Sequence, residues 1–266
     1  EAKKRFQRCE NFEADTRPLW KNDLKFANAD PDNGYQWDSQ MRLSRELDKR
    51  PCLTINKVKQ HNRQITNDAR QNKPTVRVYP VDDGADKKTA EILNGIIRHI
   101  ESNSSADTAY DTACEFAVDA GIGYWRVVTD YADDSSFDQE IYIKRVKNPL
   151  NVYLDPDIQE ADGSDARFGF VFEEISREEF ESRYPDADAV DWETGGDGWC
   201  GKDNIRLAEY FRIVEERDSL LADENGNTIL LSELPPEMKE AAKGLRSRPV
   251  MTKKGEWFLL AGNQIL

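Results

Sequence analysis

The chain has 266 residues, 38% of them hydrophobic and 33% charged, which is enough for one large domain or two small ones with a core and much polar surface. Its net charge of −14 argues against the general phosphate grip that Lys- and Arg-rich surfaces give to DNA- and RNA-binding proteins, while leaving room for local contacts or a surface that nucleic acid slides past. No run approaches the roughly 20 apolar residues of a membrane helix, and Cys9, Cys52, Cys114 and Cys200 with only His61 and His99 form neither a Cys-x-x-Cys pair nor a zinc ligand set, so reduced thiols in a cytosolic setting are expected. The chain starts at Glu1 and stops inside the apolar run WFLLAGNQIL, which reads as part of a longer polypeptide.

In chain order, residues 1–27 place Phe6, Cys9 and Phe12 at helical spacing, and NADPDNG (28–34) reads as a loop. Helical patterning resumes at Trp37 and is punctuated by Pro51. A long polar helix is expected over 53–73, with Ile55, Val58, Ile65 and Ala69 as a narrow apolar stripe packed on one neighbour or on another subunit, and with Pro74 ending it. TVRVYPV (75–81) alternates as a short strand. The stretch 82–104 predicts an amphipathic helix that buries Ala90, Leu93, Ile96, Ile97 and Ile100, with Asp82, Asp83 and Asp86 at its positive end. Residues 105–120 predict another, with Ser105 as N-cap, a stripe of Ala106, Ala109, Tyr110, Ala113, Phe116 and Ala117, and Gly121 at the C′ position.

Strands follow. YWRVVTDY and QEIYIKRV flank the polar connector ADDSSFD, NPLNVYLDPDIQEADGSDA (148–166) is turn-rich, and RFGFVFEEI is a third strand. SREEFESRYP predicts a short helix with Ser176 and Glu179 as a capping box. The acidic, Gly-rich 186–204 reads as mobile, 205–216 as a strand, DENGN (223–227) as a hairpin turn, 235–246 as a helix, and the rest as strands. The fold class is therefore α+β, with several amphipathic helices packed around mostly antiparallel strands.

Motifs for chemistry are weak. Gly121-x-Gly123 follows a helix and precedes a strand, the reverse of the dinucleotide fingerprint, so it reads as a packing corner. The aromatics of YWRVVTDY lack a nucleic-acid sheet signature and read as core or subunit-interface packing; Trp125 is expected to be buried or to lie in an interface. Asp155, Asp157, Asp162 and Asp165 are spaced like hard-cation ligands but lack the EF-hand order, and Asp-Pro-x-Asp favours turns. No catalytic, cofactor-binding or metal residue is assigned. A metal-dependent hydrolase built on the Asp155–Asp165 carboxylates, and a non-enzymatic adaptor that binds only protein, remain as alternatives.

Several stretches together resemble the portal proteins of short-tailed, podovirus-type bacteriophages, the family whose type member infects Salmonella. They are RPCLTINKV (50–58), ITNDARQNKPTVRVYPV (65–81), ADTAYDTACEFAVDAGIGYWRVVTDY (106–131), QEIYIKRVKNPLNVYLDPDIQEADGSDARFGFV (139–171), YPDA (184–187) and IRLAEYF (205–211). The set is in family order over residues 37–215 and thins beyond 216. The resemblance implies an N-terminal piece of a non-enzymatic ring subunit, typically of about twelve copies in a dodecamer. It implies that double-stranded DNA passes through the ring without sequence specificity. It also implies contacts with terminase, scaffolding or capsid proteins and tail adaptors, no cofactor and no membrane, and a place at the capsid portal vertex after assembly in the host cytoplasm. On that reading 1–35 is a polar N-terminal segment, 36–204 a helix-rich then β wing domain, and 205–266 a β-rich segment leading toward the clip and stem. No channel-lining residue is named.

Overall fold

The computed structural model describes residues 1–29, 37–73, 75–80, 86–160, 163–187, 199–201, 203–222, 228–235, 238 and 244–266. These form helices and mixed antiparallel strands, an α+β fold. The helices are α1 (Ala2–Glu13), α2 (Thr16–Ala27), α3 (Ser39–Leu47), α4 (Val58–Gln71), α5 (Lys87–Asn103), α6 (Ala106–Ala120) and α7 (Arg177–Arg183). The strands are β1 (Trp125–Tyr131), β2 (Gln139–Arg145), β3 (Val152–Leu154), β4 (Phe168–Ser176), β5 (Asn204–Ala222), β6 (Thr228–Leu230), β7 (Arg246–Ala261) and β8 (Gln264–Ile265). Two compact units result: Glu1–Phe12 with Asn151–Leu266, and Glu13–Leu150. The boundaries drawn from the sequence at 35/36 and 204/205 follow family order, whereas the spatial division joins the first helix to the C-terminal sheet.

The first unit is an antiparallel sheet in the order β3-β4-β5-β7-β8, with β6 paired to the far end of β5. Because side chains alternate along strands, Phe168, Phe170 and Phe172 of β4 share a face with Ala208 and Tyr210 of β5 and Leu260 of β7. Phe6 and Cys9 of α1 are buried against that face. Phe6 meets the rings of Tyr153, Phe172 and Trp199 edge-on at 5.0, 5.1 and 5.4 Å, a geometry that aligns positive ring edges with negative faces. The Cys9 thiol donates to the Leu154 carbonyl at 3.3 Å. The opposite face is covered at one end by α7, whose Phe180 packs on Ile175, Ile205, Leu207 and Ala261. The expected Ser176 cap is present: its Oγ accepts from the Glu179 N–H at 3.2 Å. The Glu179 carboxylate pairs with Arg183.

The second unit is organised around α6. Gly121 ends this helix with φ +82, and its N–H donates to the Ala117 carbonyl at 2.9 Å. The chain then doubles back so closely that a Cβ on Gly123 would lie 1.9 Å from the Ala113 carbonyl oxygen. This supplies a steric reason for each glycine: the first needs the left-handed region, the second needs the space. β1 and β2 pair as an antiparallel ribbon with Val127 opposite Ile143. Ile143 is buried on Ala106 and Ala109.

Several expectations are corrected here. Residues 1–27 form two helices, and 53–57 lie outside α4. Residues 75–80 form no ladder; the Asn94 side chain satisfies Val78 instead, accepting from its N–H and donating to its carbonyl, both at 2.9 Å. Ser105 is at the N-cap position of α6 but has φ +48 and makes no side-chain cap. Its neighbour Ser104 accepts from the Ile143 N–H at 2.9 Å. On α5, Asp86 caps the helix through the Lys88 N–H at 2.8 Å, and Ala90 is buried while Leu93 and Ile96 are exposed. Pro74, Asp82, Asp83 and most of 28–34, 186–204, 223–227 and 235–246 lie outside the described residues.

Two predictions follow from this packing. Phe6→Ala should cost about 3–5 kcal/mol in urea unfolding; a loss under about 1 kcal/mol would mean that α1 does not hold the sheet. Gly121→Ala should cost about 1–2 kcal/mol through its backbone angle, and Gly123→Ala about 3 kcal/mol through overpacking, so the reverse ranking would contradict the close approach to Ala113.

Candidate interaction surface

The carboxylates singled out in the sequence come first. Asp155 is buried, and its oxygens accept from the Asp157 N–H, the Arg167 N–H and Arg167 Nε, each at 3.2 Å. Asp157 pairs with Arg8 of α1 at 2.5 Å and with Arg167. The Arg8 guanidinium, supported by Arg167, holds the Asp157 carboxyl below the usual carboxylate range. Asp165 accepts from the Gln159 N–H at 2.7 Å and the Glu160 N–H at 3.4 Å. Asp162 lies outside the described residues. Among the described residues no group of three or more His, Cys, Asp or Glu is placed to hold a metal ion. Asp155, Asp157 and Asp165 staple a loop through N–H donors and guanidinium groups, and those donors occupy the lone pairs that a cation would need. The sequence missed Arg8 and Arg167 as their partners, since Arg8 is 149 positions from Asp157.

The second unit carries the larger surface. α4 packs on α6 through its polar side. Its inward face is polar: Lys59 pairs with Asp119 at 2.5 Å, Asn62 donates to Asp119 at 2.8 Å, and Arg70 reaches Asp111 at 2.8 Å and Glu115 at 2.7 Å. Thr66 is buried between them along the helix. Ile55 and Ile65, read from the sequence as part of a stripe packed on one neighbour or on another subunit, are exposed, Ile65 by 57%. Four acids on α6 (Asp107, Asp111, Glu115 and Asp119) decide this, because each answers a cation or amide on α4 or just after it; Asp107 pairs with Lys73 at 2.6 Å. Along α5, Ile92, Leu93 and Ile96 are exposed. Trp125 is 46% exposed, with its ring edge-on to Tyr110 at 5.2 Å, so it is half-covered rather than buried. It closes an apolar-floored groove of about 660 Å³ over Ala113, Ala117 and Tyr110, with Val76 on the far side.

The first unit has its own open face. Beyond α7 the same side of the sheet, uncovered among the described residues, presents Val171, Phe211, Ile213 and Trp257. Phe211 and Trp257 are direct cross-strand partners. Contiguous exposed apolar surface of this kind marks protein contact sites, and no described helix is long and apolar enough to cross a membrane.

Two observations are expected to separate the loop-staple account from metal binding. Asp155→Ala should lower stability by about 2–3 kcal/mol because three donors lose their acceptor, while EDTA should leave the melting temperature unchanged; a drop with EDTA would restore the metal reading. Asp157→Asn should lower the melting temperature at neutral pH. A carboxyl held below its ordinary pKa stabilises above that range and loses its effect as pH falls through it, so the gap to wild type should close below about pH 4. A gap that persists in acid would contradict the ion pairs.

The chain is 26% identical over 207 residues to a portal protein of Acyrthosiphon pisum secondary endosymbiont phage 1, a match covering 72% of this chain and 28% of that protein's length. The family model described as Phage P22-like portal protein matches residues 3–266, and the chain belongs to that family.

Proposed function

We propose that this chain is part of a subunit of the ring through which double-stranded DNA enters and leaves the capsid of a tailed phage, and that it works by protein–protein contact rather than catalysis. Family membership across residues 3–266 carries the reading. The matched portal protein is a phage protein, in keeping with a place at the capsid vertex after assembly in the host cytoplasm. Two physical features support it. A net charge of −14 disfavours persistent phosphate contacts, which would stall a translocating duplex. The exposed apolar residues of α4 and α5 in one unit, and of β5 and β7 in the other, are surfaces that neighbouring subunits, terminase, scaffolding or capsid proteins and tail adaptors would cover. On this reading 36–204 belongs to the wing, and 205–266 leads toward the clip and stem.

Native mass spectrometry of the full-length protein tests it. A closed ring of about twelve subunits is expected, since heterologous contacts that close give cyclic assemblies. A monomer that stays monomeric at assembly concentrations would overturn it.

A further inference from the structure

The charge of the second unit is segregated. From Lys49 to Asn67 the sequence holds five cations (Lys49, Arg50, Lys57, Lys59 and Arg63) and no acid. Lys59 is engaged with Asp119 inside the unit and Arg50 with Asp48, whereas Lys57 and Arg63 are exposed. Asn56, Lys59, Gln60, Arg63, Gln64 and Asn67 line a shallow groove of about 540 Å³ along α4. The β1–β2 connector is its electrostatic opposite. Asp130, Asp133, Asp134, Asp138 and Glu140 fall within eleven residues that contain no cation. At the tip Phe137 is 96% exposed.

The two features lie on opposite sides of α6. Asp111, Glu115 and Asp119 face α4, while Ala106 and Ala109 face Ile143 of the ribbon. At about 3.6 residues per turn these sets point in opposing directions. Complementary patches on opposite sides of one body cannot meet within a copy, and they are what a head-to-tail contact between copies requires.

We propose that the acidic β1–β2 turn of one copy seats in the basic, amide-lined α4 groove of the next, with Phe137 as its apolar plug. The contact rests on the ring reading above. Arg63 in the groove and the exposed Lys57, next in sequence to the lining residue Asn56, supply attraction, the groove's amides supply donors for Asp134 and Asp138, and the pairing sets direction around the ring, because an acidic turn facing an acidic turn is repelled.

The test is assembly of the full-length protein, followed by mass photometry over a concentration series. Lys57→Glu with Arg63→Glu, and separately Asp134→Lys with Asp138→Lys, should each raise the concentration needed for ring formation by about tenfold or more. Neither pair should change the melting temperature of the unassembled protein, since none of the four residues is in a core. Combining all four changes should restore assembly. Wild-type thresholds in both reversed variants, or a loss in each that the combination does not rescue, would overturn the contact while leaving the ring reading intact. A wild-type protein that forms no ring would sink both. If Lys57→Glu with Arg63→Glu leaves assembly intact and instead weakens binding to random-sequence duplex DNA, the groove belongs to nucleic acid and the proposal fails.

Discussion

The second unit depends on the two-sidedness of α6. One side is alanine, small enough for Ile143 to pack on it and for the backbone at Gly123 to run almost against the Ala113 carbonyl. The other side is carboxylate, and it holds α4 by ion pairs and amide bonds instead of apolar packing. Because the polar face of α4 is turned inward, its Ile65 is left on the outside. That arrangement is poor for an isolated domain and reasonable for one whose apolar surface is covered by other subunits.

The first unit solves a different problem. Its sheet is built from residues after 150, yet the cover over its aromatic face comes from α1 at the start of the chain. Phe6 is surrounded by rings from β3 and β4 and by Trp199, and Arg8 two residues later pairs with Asp157. The same helix therefore supplies both the apolar plug and the countercharge for the loop that Asp155 staples. The far side of the sheet, around Phe211 and Trp257, has no equivalent cover among the described residues.

Local signals in the sequence carried well where a residue's partner is near in sequence. The Gly121 cap, the Ser176 cap, the β1–β2 ribbon and the long β5 strand all follow from turn chemistry and alternation. The failures share one cause: the deciding partner was remote or of the wrong type. Periodicity gave 53–73 an apolar stripe that includes Ile65 but not the partner that would cover it, because it weighs apolar residues and ignores that Asp111, Glu115 and Asp119 would draw the polar face of α4 inward. It made 75–81 a strand, unable to foresee that the Asn94 side chain would replace a ladder partner. It read Leu93 and Ile96 as core for the same reason that it missed them as surface: a helix pattern shows which face is apolar, not whether the cover lies in the same chain. The family motifs, in contrast, identified the portal family, because their order along the chain does not depend on packing. The acid-free run from Lys49 to Asn67 was visible as a charge pattern, but its meaning required the position of α4.

The central claim is that these exposed faces are completed by neighbouring copies around a DNA-conducting ring. A cryo-electron microscopy reconstruction of the full-length protein addresses it most directly. The account predicts a ring with an open central channel in which Ile65, Leu93 and Ile96 are buried against the adjacent subunit. A reconstruction that shows no ring, or a ring in which those side chains remain in solvent, would contradict it.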